Sequence, residues 1–198
     1  MIRKAYKFKL QTSAVQAKQL CGYAGSCRFI WNKALSINLF RLHNGKNIMY
    51  YQELDFFSKL WKKSNEYSFL QDCPSQAIQQ KLKDLEKAFR DCFDKTQPNK
   101  KLPKFKKKNM GDSIRYPQGF KISGNRVFLP KIGWVKFRKS QDIVGKAKNI
   151  TLSLHAGSWY ISIQVEQEVL QPVHPATSIV GIGSCQATCR LSINKSRF

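Results

Sequence analysis

Residues 2–11 read IRKAYKFKLQ, and the fold turns on them. Ile2, Tyr6, Phe8 and Leu10 fall on one side of a period of two. Arg3, Lys7 and Lys9 fall on the other, and Lys4 interrupts the apolar side. That alternation predicts a half-buried strand with a basic outer face. The chain beyond Gln11 is helical in period, so the partners of this strand must come from far along the sequence. The helical block then becomes an insertion into a sheet.

The helical block has three stretches. After Thr12 or Ser13, either of which can cap, Leu20, Ala24, Cys27, Trp31, Ala34 or Leu35, and Asn38 or Leu39 recur at helical spacing up to Asn44-Gly45. A second stretch carries Tyr50, Leu54, Phe57 and Trp61. A third opens at Pro74-Ser75 and lines up Ile78, Leu82, Leu85, Phe89 and Cys92. That stripe is core by spacing and needs no cofactor to explain it. Next comes a basic strap, with Lys95, Lys100, Lys101, Lys104, Lys106, Lys107 and Lys108 broken by Pro98, Pro103 and Gly111.

From Ser113 the period returns to two. A hairpin turns at Ser123-Gly124-Asn125, a bend comes at Pro130-Lys131, and a second hairpin turns over residues 155–158. Trp159, Ile161, Ile163 and Val165 share one face of its second arm; Ser162, Gln164 and Glu166 share the other. The expected class is α+β: a small antiparallel β-barrel with an inserted α-helical domain. Its first strand spans 1–11, the helices 12–98, the strap 99–112 and the remaining strands 113–176. Residues 177–198 form a linker and an unpaired strand start.

Charge narrows the function. The chain holds 35 Lys and Arg against 12 Asp and Glu, a formal net charge of +23. Such a balance self-repels without an anionic partner. Nucleic acid is the first candidate and an anionic membrane the second. No apolar run approaches the roughly 20 residues of a membrane span, and the N-terminus lacks the apolar centre of a signal peptide. A cytoplasmic protein without a membrane partner is expected. Cys21, Cys27, Cys73, Cys92, Cys185 and Cys189 form no C-x-x-C pair, so reduced thiols and no metal site are expected.

A catalytic constellation is hard to assemble. His43, His155 and His174 sit in turns, loops or helix ends. The carboxylates do not converge as Mg²⁺ chemistry requires, and no phosphate-cradling Gly-rich loop is present. Basic residues instead interleave with aromatics: Tyr6-Lys7-Phe8-Lys9, Lys104-Phe105-Lys106, Arg115-Tyr116, and Trp134 with Lys136, Phe137 and Arg138. Cations suit phosphates, and aromatics suit unpaired bases. Gln76, Gln79 and Gln80 offer amides that can bond adenine edges, although from composition alone ordinary polar surface is the stronger explanation.

Several phrases, in order, resemble the TnpB (OrfB) family of insertion-sequence RNA-guided DNA endonucleases: RKAYKFKLQTSAVQAKQL, GSCRFIWNKAL, PSQAIQQKLKDLEKAFRDCF, LPKFKKK with DSIRYPQ, LPKIGWVKFR and GSWYISIQVE. The resemblance implies a wedge β-barrel interrupted by a helical recognition domain, holding a structured guide RNA and reading a short duplex DNA motif. It places Tyr50, Ser75, Gln76 and Gln79 toward that duplex. It places Lys104, Lys106, Lys107, Lys108, Ser113, Arg115 and Tyr116 near nucleic-acid backbone, beside the basic strand positions Lys7, Lys9, Lys136 and Arg138. A bacterial, nucleoid-associated location is implied with it.

The family's wedge is followed by a RuvC-like nuclease opening V-G-I-D-x-G, whose Asp is the first metal ligand. Here Val180-Gly181-Ile182 is followed by Gly183, which has no side chain to offer a metal. The expected cause is a frameshift after Ile182. The family's Mg and zinc ligands would lie beyond that point, so the expectation is a truncated, non-catalytic binder with no cofactor. Two alternatives stay open: an active nuclease restored by frameshifting, and a nuclease-dead RNA-guided regulator of transcription. A structural RNA-binding protein, such as a ribosome-associated one, is permitted by composition but not by the ordered phrases.

Overall fold

Strand β1 (Ile2–Gln11) pairs on both sides with strands from the far end of the chain. A computed structural model describes residues 2–108 and 110–168. After β1 come helices α1 (Ala14–His43) and α2 (Tyr51–Lys63), a 3-10 segment (Asn65–Gln71) and α3 (Ser75–Phe93). Strands β2 (Ser113–Tyr116), β3 (Lys121–Ser123), β4 (Arg126–Leu129), β5 (Gly133–Arg138), β6 (Lys146–His155) and β7 (Ser158–Gln167) complete the order. The sheet order is β2-β6-β7-β1-β5-β4-β3, antiparallel throughout.

The expected small antiparallel β-barrel takes the form of a curled seven-stranded half-barrel, since among the described residues its end strands, β2 and β3, do not pair with each other. Both are short, at four and three residues, which limits the unpaired edge each presents. Helices α1 and α3 also pack against β2. The 3-10 segment has no counterpart in the sequence expectation.

Parity decides which side chains are buried. Tyr6, Phe8 and Leu10 of β1 join Val135 and Phe137 of β5, and Ile161, Ile163 and Val165 of β7, in one core with Leu20, Ile30 and Leu35 of α1 and with Ile78, Leu82, Leu85 and Phe89 of α3. Phe8 and Phe137 meet at 5.2 Å between ring centroids. The helical block therefore shares its core with the sheet. Lys4, the parity break, stays exposed, with its ammonium 5.0 Å from the Tyr6 ring.

Local chemistry fixes the element ends. Ser13 caps α1 in a capping box: its hydroxyl accepts from the Gln16 N–H, and the Gln16 side-chain oxygen accepts from the Ser13 N–H. The Gln16 amide nitrogen donates to the Trp134 carbonyl and ties that cap to β5. Asn38 is fully buried but satisfied, donating to the Met49 carbonyl and accepting from the Met49 N–H. The β6–β7 hairpin turns on Ala156 and Gly157, both at positive φ, as a primed turn requires.

Cys27 and Cys73 are buried thiols. Their mutual hydrogen bond raises the Cys73 pKa, and burial raises it further. Cys21 is exposed, and Cys92 is free and half-buried. Cys185, Cys189, His174 and Gly183 lie outside the described residues. Among the described residues no helix is long and apolar enough to cross a membrane.

Gly145 supplies a test of the sheet geometry. It sits at φ +110°, and a Cβ there would lie 2.5 Å from the Glu166 carbonyl oxygen. Gly145→Ala should therefore destabilise the chain by about 1–3 kcal/mol, read as a lower urea midpoint at unchanged m-value.

Candidate nucleic-acid interface

The outer sheet face is built by the same parity that builds the core. Lys9 stands directly opposite Arg138, and Gln11 opposite Lys136. One strand further, Arg126 stands opposite Lys136 and Phe128 opposite Trp134. Lys121 comes next, opposite Phe128. On the other side of β1, Lys7 pairs with Ser162, and its ammonium lies 5.1 Å from the Tyr160 ring centroid. Strands β1, β3, β4 and β5 contain no carboxylate residue. Like charges directly opposed across strands destabilise a sheet by some tenths of a kcal/mol each. Two such pairs on adjacent strand pairs create a positive field that favours an anionic ligand.

The strap lies along α1. The Trp31 indole N–H donates to the Lys104 carbonyl. The Asn32 amide donates to the Lys106 carbonyl and accepts from the Lys106 N–H, at 3.0 and 2.8 Å. The Lys106 ammonium lies 4.1 Å from the Trp31 ring centroid, and burial pushes its pKa below the usual lysine value, with Lys81 adding to the effect. Lys106 thus anchors the strap through its backbone and its contact with Trp31. Lys104, Lys107 and Lys108 remain exposed around Phe105, which is itself exposed.

Two further expectations change where the strap meets β2. The Ser113 hydroxyl accepts from the ammonium of buried Lys81 at 3.0 Å, so Ser113 is engaged inside the protein. Beside it, Arg28 donates to both carboxylate oxygens of Asp112 at 3.0 and 3.2 Å. Tyr116 is fully buried, and burial raises its pKa. The period of two puts it beside Ile114 on the inner face, so it offers no ring to a base. Arg115, one residue earlier, is half-buried and lines a cavity of about 300 Å³ with Arg3, Lys148, Asn149, Gln164 and Glu166.

On the helical side, Tyr50 is 41% exposed at the start of α2. Its N–H donates to Glu53, and the Arg90 guanidinium lies 4.8 Å from its ring centroid. Arg90 is in turn paired with Glu86 at 2.7 Å. Gln79, Lys83, Glu86 and Arg90 recur at helical spacing, so Gln79 and the Tyr50 support share one face of α3, roughly 16 Å apart along its axis. Gln79 is half-exposed. Ser75 accepts from Lys62, whose pKa burial lowers. The Gln76 side-chain oxygen is buried without a partner, turned toward the Gly119 loop. Of the residues expected to face the duplex, Tyr50 and Ser75 are exposed and Gln79 is half-exposed, while the Gln76 side-chain oxygen is buried.

Lys121 and Arg126 are functional candidates that sequence reasoning missed, although alternation in RVFL gave the signal. The Asn32 clasp had no sequence signal, because its partner lies 74 residues away. Among the described residues, no group of three or more His, Cys, Asp or Glu is placed to hold a metal.

Residues 1–46 match a family model described as a helix-turn-helix domain, HTH_OrfB_IS605. Here most of these residues form β1 and the single thirty-residue helix α1. Over 181 residues, 90% of the chain, it is 41% identical to the "Putative RNA-guided DNA endonuclease InsQ" of Escherichia coli (strain K12), covering 44% of that protein. A second protein of the same general description, from Streptomyces pristinaespiralis, is 26% identical over 187 residues, 91% of this chain and 46% of the relative. The chain spans less than half the length of these curated relatives.

Two measurements test this surface. Asn32→Ala should free the strap, so that trypsin cuts it several-fold faster while far-UV circular dichroism stays unchanged. Lys9→Thr should raise the stability of the free chain by about 0.2–1 kcal/mol, seen as a higher urea midpoint.

Proposed function

We propose that this chain, which corresponds to the N-terminal portion of the TnpB (OrfB) family, binds nucleic acid without cutting it: a structured guide RNA and a target-flanking DNA duplex. The observation that carries the reading is the outer sheet face, where Lys9 opposes Arg138 and Arg126 opposes Lys136 with no carboxylate on those strands. An anionic backbone laid there relieves the repulsion and releases counterions.

Lys7, Lys9, Lys136 and Arg138 serve as phosphate contacts in this reading, extended by Lys121 and Arg126. Lys104, Lys107 and Lys108 supply a second basic track, which α1 holds in place through Trp31 and Asn32. Arg115 offers a further cation on the same face, toward the β2 end of the sheet. Tyr50 and Gln79 read base edges in the duplex groove, with α3 setting their spacing. Phosphate contacts give affinity and position; these two side chains give sequence preference.

Cleavage, the activity named for the relatives, is assigned outside these residues. Several carboxylates of the described region are engaged with neighbouring cations: Asp55 with Lys59, Glu86 with Arg90, Asp91 with Lys87, Asp112 with Arg28, and Glu166 with Arg3 and Lys148. The resemblance of Val180-Gly181-Ile182 to the opening of the family's nuclease segment supports this reading, since Gly183 follows where that segment has a metal-ligating Asp. The purified chain, given guide RNA, matching duplex and Mg²⁺, should retard the duplex and leave it intact; guide-dependent cutting would overturn the proposal.

Two variants test the binding roles. The double substitution Lys136→Ala, Arg138→Ala should weaken binding and flatten the log–log salt dependence by roughly 0.7–0.9 per lost contact. Gln79→Ala should relax preference at one base position by about 1–3 kcal/mol, measured by competition between duplexes differing at single positions.

A further inference from the structure

Trp134 stands out on the basic face. Trp31 and Trp159 are 8% and 3% exposed, whereas Trp134 is 48% exposed. Exposure alone is common among the aromatics of this chain; what sets Trp134 apart is that its ring lies on a carboxylate-free strand among cations. The ring is also held. Phe128, its cross-strand neighbour, meets it edge-on at 5.7 Å and 64°. The Gln16 amide fixes its backbone carbonyl. Lys136 lies two residues on, along the same face of β5, with Arg126 opposite, and Lys121 lies opposite Phe128.

We infer that Trp134, braced by Phe128, is a stacking platform for an unpaired nucleotide, whose flanking phosphates are taken by Lys121, Arg126 and Lys136. This rests on the reading of the outer face as a nucleic-acid surface and adds the class of nucleic acid that this end of it takes. A flat ring can cover the π-face of one base, while cations one strand or one pleat away reach the phosphates. In a duplex, both faces of an internal base are already covered by its neighbours. The platform therefore selects a loop, bulge or single-stranded end, and every base can serve because each has a π-face. An anionic lipid surface is the competing occupant. It calls for a broad apolar face to enter the bilayer, and here one half-exposed indole stands among cations.

The test uses the full chain and a ten-nucleotide oligoadenylate RNA, with a duplex of matched length and phosphatidylserine vesicles as comparison ligands. The oligoadenylate should quench the tryptophan emission, and Trp134→Phe should remove most of that quenching while keeping most of the affinity. Trp134→Ala should weaken oligoadenylate binding roughly 5- to 150-fold and leave duplex binding within about twofold. Lys136→Ala should weaken both ligands. If Trp134→Ala binds oligoadenylate like the unaltered chain, or loses duplex and single strand equally, the platform is wrong; the nucleic-acid reading survives if Lys136→Ala still weakens both. If Lys136→Ala weakens neither, the underlying reading fails as well. A blue shift of tryptophan emission with vesicles and no response to oligoadenylate would replace the platform by a lipid contact.

Discussion

The pairing of β1 on both edges is the constraint on which the rest depends. Eight successive residues of β1 face β7, and its C-terminal end faces β5. Without β1, the sheet falls into two pieces, β2-β6-β7 and β5-β4-β3. Because α1 starts directly after β1 at the Ser13 cap, the helical block is tied to the middle of the sheet. The Gln16 bond to Trp134 and the Tyr23 bond to the Lys131 carbonyl make the same connection from the side chains.

The electrostatics are divided by location. Cations that support the fold have defined partners: Arg28 with Asp112, Lys81 with Ser113, Lys106 with the Trp31 ring and Lys131 with the Gln71 carbonyl. Those of the outer face stand opposite one another. Burial makes partners obligatory for Arg28, Lys81 and Lys106, whereas water screens the cations of the outer face. The difference separates cations that hold the protein together from cations that face water, even though sequence composition counts them alike.

Much of the fold was legible because periodicity reports burial directly. IRKAYKFKLQ announced both its class and its distant partners. The α3 stripe of Ile78, Leu82, Leu85 and Phe89 is buried as spaced, and the hairpin turns fall where Gly124 and Gly157 allow positive φ. Barrel closure was not legible, since it depends on whether two short end strands meet. Exposure was legible where parity alone decides it, as at Lys9, Lys136 and Arg138. It was misread at Tyr116, grouped with Arg115 by adjacency although successive strand residues face opposite ways. The internal partners of Lys106 and Ser113, Trp31 and Lys81, were not legible because they come from distant helices.

A central strand made first must wait for its neighbours. At about 5–20 residues per second of synthesis, on the order of ten seconds separates the emergence of β1 from that of β5 and β7. During that interval Tyr6, Phe8 and Leu10 are an unpaired apolar row of the kind that seeds aggregation. Lys4, Lys7 and Lys9 interrupt that row with charge, so strands of this sequence repel one another when β1 is still alone. Lys7 and Lys9, which form part of the outer face of the finished sheet, and Lys4, which breaks its apolar side, thus guard the nascent chain, and replacing them with neutral residues would expose the protein during birth.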